Sequence, residues 1–385
     1  MPQSVVMPSV LVCFASLRWN FLFQRPQHLL TRFAANGMRV IYIESKVASE
    51  VDGIQFEQEY YDGIHVVRPM LPAALPDEAY ITRIRAFLDE LLGPDGAQDA
   101  IFWYYNPASI RYSDHLTPAL TVYDCIGEPE NLPGAHPDIT ALEERLLDRA
   151  DLVFTSGNAL AKSRKKVNNN VNVCTNGIDI RHFGQARLPQ ASEPADQQAI
   201  PHPRLGYYGV INEHFDMRLI AQVASSKPDW HFVLIGPVVN IPEIELSQAP
   251  NIHYLGTKSY EVLPQYVQGW DLGLVPLKEG YGTYSVVPAK VPEYLAAGLR
   301  VISSPLEDIV ATYGRKGLVQ VVSGPEVFIN VANSLLDDTE EEMTSWRRQA
   351  DAEISGQSWD STYNCMMGNL QQALAGKRIR KPQTV

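Results

Sequence analysis

The chain has 385 residues, 45% of them hydrophobic, and a formal net charge of −12. That length is too great for one ordinary core and argues for two domains. The acidic balance excludes a nucleic-acid surface as the main partner, so any anion site must be local. In chain order, the first half carries the apolar runs "SVLVCFAS", "RVIYIES", "AIFWYYN", "LTVYDCI" and "DLVFTSG". Helix-period segments such as "PQHLLTRFAANG" and "ITALEERLLDRA" lie among them. This alternation predicts a buried parallel sheet with crossover helices. "GIQFEQEYYDGIHVVRP" alternates polar and apolar residues and reads as a hairpin or an edge strand pair.

"QARLPQASEPADQQAIPHP", residues 185–203, is rich in Pro, Ala and Gln, lacks apolar periodicity and reads as a linker with a hinge. The strand pattern resumes in "PRLGYYGVI", "WHFVLIGP", "NIHYLGT", "DLGLVPL", "LRVISSP" and "LVQVVSG". "SWDSTYNCMMGNLQQALAG" is a last amphipathic helix, followed by the basic tail "KRIRKPQTV". The expectation is therefore α/β, with doubly wound domains at residues 1–184 and 204–355 and a helix and tail at 356–385. Ligands of such sheets bind at the carboxyl ends of strands, which makes the cleft between the domains the expected binding place.

Cys13, Cys125, Cys174 and Cys365 lie far apart without paired spacing, as expected for reduced, mostly buried thiols of a cytosolic protein. The start "MPQSVVMPSVLVCFASL" lacks a basic n-region, and no apolar run reaches the length of a membrane span. The expected location is cytoplasmic, with any membrane contact peripheral and at the inner face.

"VPAKVPEYLAAGLRVISSP" holds the densest chemistry. Pro288 suits a first helical turn, and Gly298 marks the stop before a strand. Lys290 beside the free N–H groups of that start suits phosphate, and a carboxylate at Glu293 accepts from a ribose diol. Alone, the pair reads first as a dipole complement and a solvated surface charge. Upstream, Gly209, Gly236 and Gly256 end three successive strands, with Asn212, Glu213 and Lys258 just beyond them. Absent side chains there let a flat base and a diphosphate lie against backbone. "KEGYGTYSV" offers Ser285 as a further donor.

These motifs resemble the donor-binding domain of a GT-B glycosyltransferase. "PAKVPEYLAAGLRVISSP", "LGYYGVINEHFDMRLI" and "WHFVLIGP" are similar to those of bacterial family 4-related and teichuronic-acid-type biosynthetic enzymes. "RWNFLFQRPQHLLTRFAANGMRVIYIES", "ADLVFTSGNALA" and "NGIDIRHF" extend the resemblance through the first half. It implies the GT-B architecture: two Rossmann-like doubly wound domains, an interdomain cleft, and a C-terminal helix crossing back to the first domain.

The resemblance also implies a metal-independent transferase without cofactor, working on a nucleotide sugar of UDP or GDP type. The acceptor would be a sugar, a glycan or a lipid-linked hydroxyl in cell-surface polysaccharide or glycoconjugate assembly. Glu293 would hold the donor ribose, Lys290 would lie at its phosphates, and Gly209, Gly236 and Gly256 would line the nucleotide. Two departures stand out. Ser285 occupies a position where many relatives carry an acid, and only Arg218 follows the first glycine turn, where many retaining members carry arginine and lysine. No DxD triplet or His cluster is present.

An inverting reaction needs a base, and Asp124, at the end of an apolar strand, is the candidate, with a helix-capping role as the alternative. Arg25 and Gln27 open a helix suited to phosphate or sugar, and Trp19 precedes them in a loop whose aromatic residues either pack or meet the acceptor. The basic tail adds an attraction to an anionic membrane. A nucleotide-sugar epimerase on the same fold and a catalytically silent two-lobed binder are the competing readings.

Overall fold

The computed structural model describes residues 6–131, 135–188, 193–278 and 290–380. The chain forms two units, Met1–Thr175 with Trp359–Val385, and Asn176–Ser358.

The first unit is built on nine strands: β1 Val10–Phe14, β2 Arg39–Ile43, β3 Val47–Ala48, β4 Gln55–Tyr61, β5 Ile64–Leu71, β6 Ala100–Tyr104, β7 Leu120–Cys125, β8 Leu152–Thr155 and β9 Val171–Val173. Their order is β3-β5-β2-β1-β6-β7-β8-β9, with β4 also on β5. Only β4 and β5 are antiparallel. They meet at Asp62 and Gly63, whose φ values of 37° and 84° suit the tight hairpin turn favoured by strand twist. The hairpin expected from the alternating pattern is thus present.

The other strands read as unbroken apolar runs because both faces are covered. Leu11 and Cys13 of β1 enter one core, Val12 and Phe14 the other. The helix Trp359–Arg380 completes one of these cores with Met366, Leu370 and Leu374. Trp359 stacks on His28 at 4.2 Å, and Arg32 bonds Asp360 at 2.6 Å, both anchoring it to the helix Arg25–Ala35. The last helix therefore belongs to the first unit, as expected; the tail beyond residue 380 lies outside the described residues.

The second unit has six parallel strands: β10 Arg204–Tyr208, β11 His231–Ile235, β12 Ile252–Gly256, β13 Leu272–Val275, β14 Arg300–Ser303 and β15 Val319–Val321. Their order, β12-β11-β10-β13-β14-β15, reverses direction between β10 and β13. In doubly wound sheets ligands bind beyond the carboxyl ends of the strands at that reversal. The residues after β10 are therefore where a site belongs.

The expected division at residue 184 and the expected linker both need correction. The units part at Thr175 and Asn176, and the described residues of 185–203 pack on the second unit. Arg187 bonds Asp351 at 2.8 Å, Gln197 accepts from the Trp270 indole at 2.8 Å, and buried Arg204 pairs with Glu193. Polar composition hid these bonds, since Arg187 and Gln197 each need a partner remote in sequence. All four cysteines are free thiols, Cys365 alone exposed, and the Cys174 and Cys365 sulfurs lie 2.8 Å apart. Among the described residues no helix is long and apolar enough to cross a membrane.

Candidate functional site

β10 and β11 are each followed by a glycine with a backbone that side chains disfavour, Gly209 at φ 136° and Gly236 at φ 139°. The two turns stack closely. Gly209 N–H donates to Ile235 O at 2.8 Å, and a Cβ on Gly236 would fall 1.9 Å from the Gly209 carbonyl oxygen. A Cβ on Gly209 would meet Lys290 at 2.4 Å from Cε and 2.7 Å from Nζ. The lysine therefore lies across the glycine turn, in space that only glycine leaves open.

Gly236→Ala is expected to destabilise the protein by more than ~1 kcal/mol, because backbone cannot step aside as a flexible side chain can. Denaturant unfolding checks this, and an unchanged midpoint would contradict it. Gly256 differs from the other two. Its φ of 68° requires a left-handed turn, but nothing lies within 4 Å of its missing side chain. It shapes the turn and supplies the carbonyl that accepts from Gly236 N–H at 2.9 Å.

Lys290 and Glu293 stand one turn apart on the helix Lys290–Ala296, and the start expected at Pro288 lies outside the described residues. The Lys290 ammonium sits 5.3 Å above the Tyr207 ring and has no ion-pair partner among the described residues. Glu293 is buried, 6% exposed, and accepts a hydrogen bond from the Tyr208 hydroxyl on one oxygen. Its other oxygen has no partner among the described residues. Burial pushes the Glu293 carboxyl up to about 7, against the Tyr208 hydrogen bond and the Lys290 charge, which both hold it down.

The loop after Gly209 is clasped to the turn after β11. Ile211 N–H donates to Pro237 O at 2.9 Å and Val239 N–H returns to Ile211 O at 2.9 Å. Asn212 points inward along its own loop, accepting from His214 N–H at 3.2 Å, while Glu213 is exposed. Lys258 does not join the site. Its ammonium bonds Asp196 at 2.7 Å and lies over the Tyr266 ring, so its charge is already met and its pKa raised, chiefly by that hydrogen bond. Ser285 lies outside the described residues. Among those residues no three His, Cys, Asp or Glu side chains gather as a metal site.

The residues expected on the acceptor side are structural instead. Arg25 Nε donates to Asp124 at 3.2 and 3.0 Å, and Nη2 donates to Oδ1 at 3.0 Å. Nη1 donates to the Cys174 carbonyl at 2.9 Å. Asp124 is 0% and Arg25 4% exposed, so the proposed base and the proposed phosphate contact are each other's buried partner. That leaves both assignments without support in this structure, because the guanidinium engages both carboxylate oxygens and neither side chain has an exposed edge to offer a ligand. Trp19 is buried, its N–H bonding Glu44 at 2.7 Å and its carbonyl accepting from Gln27 at 2.9 Å. Gln27 is spent on that bond and on the helix cap with Gln24. Phe21 and Phe23 remain exposed at 42% and 44%.

Tyr207 and Tyr208 were missed in the sequence. The signal was present as two tyrosines directly before a strand-end glycine, one for each face of the sheet.

Residues 203–338 match the family described as Glycosyl transferases group 1. TuaH of Bacillus subtilis (strain 168), named for teichuronic acid biosynthesis, is 27% identical over 284 residues, covering 67% of this chain and 71% of its own. The E. coli trehalose-6-phosphate structure bound with UDP-2-fluoro glucose aligns with a TM-score of 0.68 at 13% identity, over 94% of this chain and 99% of its own. Sucrose-phosphate synthase from Thermosynechococcus elongatus gives 0.68 at 13% identity, over 96% and 100%. Anabaena HepE in complex with UDP gives 0.64 at 13% identity, over 94% and 100%. At such identities the structural likeness establishes the fold.

Proposed function

We propose that the chain is a glycosyltransferase of group 1 type on the GT-B fold, which moves a sugar from a nucleoside-diphosphate sugar to a hydroxyl of a glycan or lipid-linked acceptor in cell-surface polysaccharide assembly. One observation carries the donor part of this reading. The Lys290 ammonium lies over the Gly209 turn at the sheet reversal, one helical turn from a carboxylate with an open oxygen.

A diphosphate laid along the bare Gly209 and Gly236 backbone would meet that ammonium. The ribose diol would donate to the open oxygen of Glu293. As the glycosidic bond breaks, charge grows on the leaving phosphate, and a fixed cation there stabilises the transition state more than the ground state. With Asp124 held by Arg25, the departing phosphate oxygen is the group that takes the acceptor proton. The named relatives and neighbours support transfer over the epimerase reading, and UDP in two neighbours supports the uridine member of the expected UDP or GDP pair.

A melting-temperature screen against UDP-, GDP-, ADP- and dTDP-sugars tests the class of donor, because a ligand bound only by the native state raises the transition. A rise with one base is expected; no rise with any of the four overturns the reading. Glu293→Gln should weaken binding of that donor by roughly 1–3 kcal/mol while the protein stays folded, since a neutral amide replaces a charged acceptor. Calorimetric titration of the variant checks this, and an unchanged Kd would remove Glu293 from the site.

A further inference from the structure

We infer that Tyr208 is a positioning residue of the donor site, which occupies one oxygen of Glu293 and so aims the other at the ligand while favouring the carboxylate form. The inference rests on the donor-site reading above and adds to it a second residue and a pH dependence.

The geometry is specific. Tyr208 is the last residue of β10, the strand at the reversal, and Gly209 follows it. Its ring lies in the core, stacked with Phe183 at 6.0 Å and edge-on to Tyr294 at 5.2 Å, so its hydroxyl cannot wander. The Tyr294 hydroxyl fixes its backbone, accepting from the Tyr208 N–H at 3.2 Å. The hydroxyl at the end of this braced ring donates to Glu293. A carboxylate so held has one lone-pair edge engaged and one open, which suits a single diol better than a freely rotating carboxylate.

Burial opposes the charge that diol recognition needs. With its pKa pushed up to about 7, Glu293 is only partly ionised at neutral pH, and the Tyr208 hydrogen bond is the first influence that counters burial. Lys290 from its own helix is the second. Tyr207 and Tyr208 face this region from β10, and Tyr260 stands beyond Tyr208, with His182 stacked on it. Arg187, Arg347 and Asp351 sit around the far end of the helix, at Leu295 and Gly298. Among the described residues Lys290 is thus the one full charge acting on Glu293. Donor affinity should rise with pH as Glu293 ionises, and fall as pH drops through about 7.

The test is a calorimetric pH series with UDP, and with GDP, on the wild type, Tyr208→Phe and Glu293→Gln. Phenylalanine keeps the ring packing, and an unchanged melting temperature in the absence of nucleotide confirms it. Independently of binding, the infrared band of the protonated carboxyl, assigned by difference against Glu293→Gln, follows the same group directly. The expected result is a step near neutrality in the wild type and no step in Glu293→Gln. In Tyr208→Phe the step moves upward by roughly one to two pH units, the scale of a lost hydrogen bond to a charged group. A step and an infrared midpoint left in place by Tyr208→Phe, with Glu293→Gln still abolishing the step, overturn the role of Tyr208 alone. A step and an affinity that persist in Glu293→Gln overturn the donor site with it.

Discussion

Asp124→Ala should cost the first unit roughly 3–5 kcal/mol of stability, the range for breaking a buried ion pair by removing one partner. The loss arises less from the pair's own attraction than from what remains. Arg25 is 4% exposed and cannot lose its proton, so without Asp124 its guanidinium is a buried charge satisfied only in part. Asp124→Asn should fall short of full rescue, because an amide supplies one neutral acceptor where the carboxylate supplies two charged ones. Replacing both partners with apolar residues of similar volume should recover much of the loss. Guanidinium or urea unfolding of the three variants measures this. An Asp124→Asn protein as stable as wild type but with transfer selectively abolished would restore the base assignment.

Lys290→Ala should lower kcat by about 10²- to 10³-fold at saturating donor, the usual result of removing one fixed stabiliser of developing charge. Stability should change little, because the lysine has no ion pair among the described residues to lose. Binding should weaken as well, but less than kcat, since the diphosphate carries more charge at the leaving oxygen in the transition state than before it. Single-turnover rates with the donor selected by the melting screen separate the two effects. A wild-type kcat would place Lys290 away from the leaving group.

Much of the fold was legible because parallel sheets covered on both faces demand unbroken apolar strands, and this chain supplies them with turn residues between. The hairpin was legible from a different pattern, the alternation of polar and apolar residues along "GIQFEQEYYDGIHVVRP". The placement of Glu293, Lys290 and the first two glycines was legible because a strand-end turn and a helix have local signatures. What failed was pairing across the sequence. Asp124 looks like a free carboxylate until Arg25, 99 positions away, folds onto it. Lys258 looks like a phosphate ligand until Asp196 takes its charge. Tyr208 went unmarked because a tyrosine in an apolar strand is ordinarily core, and this one is core along its ring and functional only at its hydroxyl. The segment 185–203 has the composition of a linker, and only the tertiary partners Asp351 and Trp270 reveal that its described part is packed.

The most direct measurement is a calorimetric titration of UDP, GDP, ADP and dTDP into the wild type, Lys290→Ala and Glu293→Gln, each shown to be folded by its melting temperature. The account predicts one site in the wild type for at least one of these nucleotides, and a Kd weakened by roughly tenfold or more in both variants. Equal Kd values in the three folded proteins, or no binding of any of the four to the wild type, would contradict it.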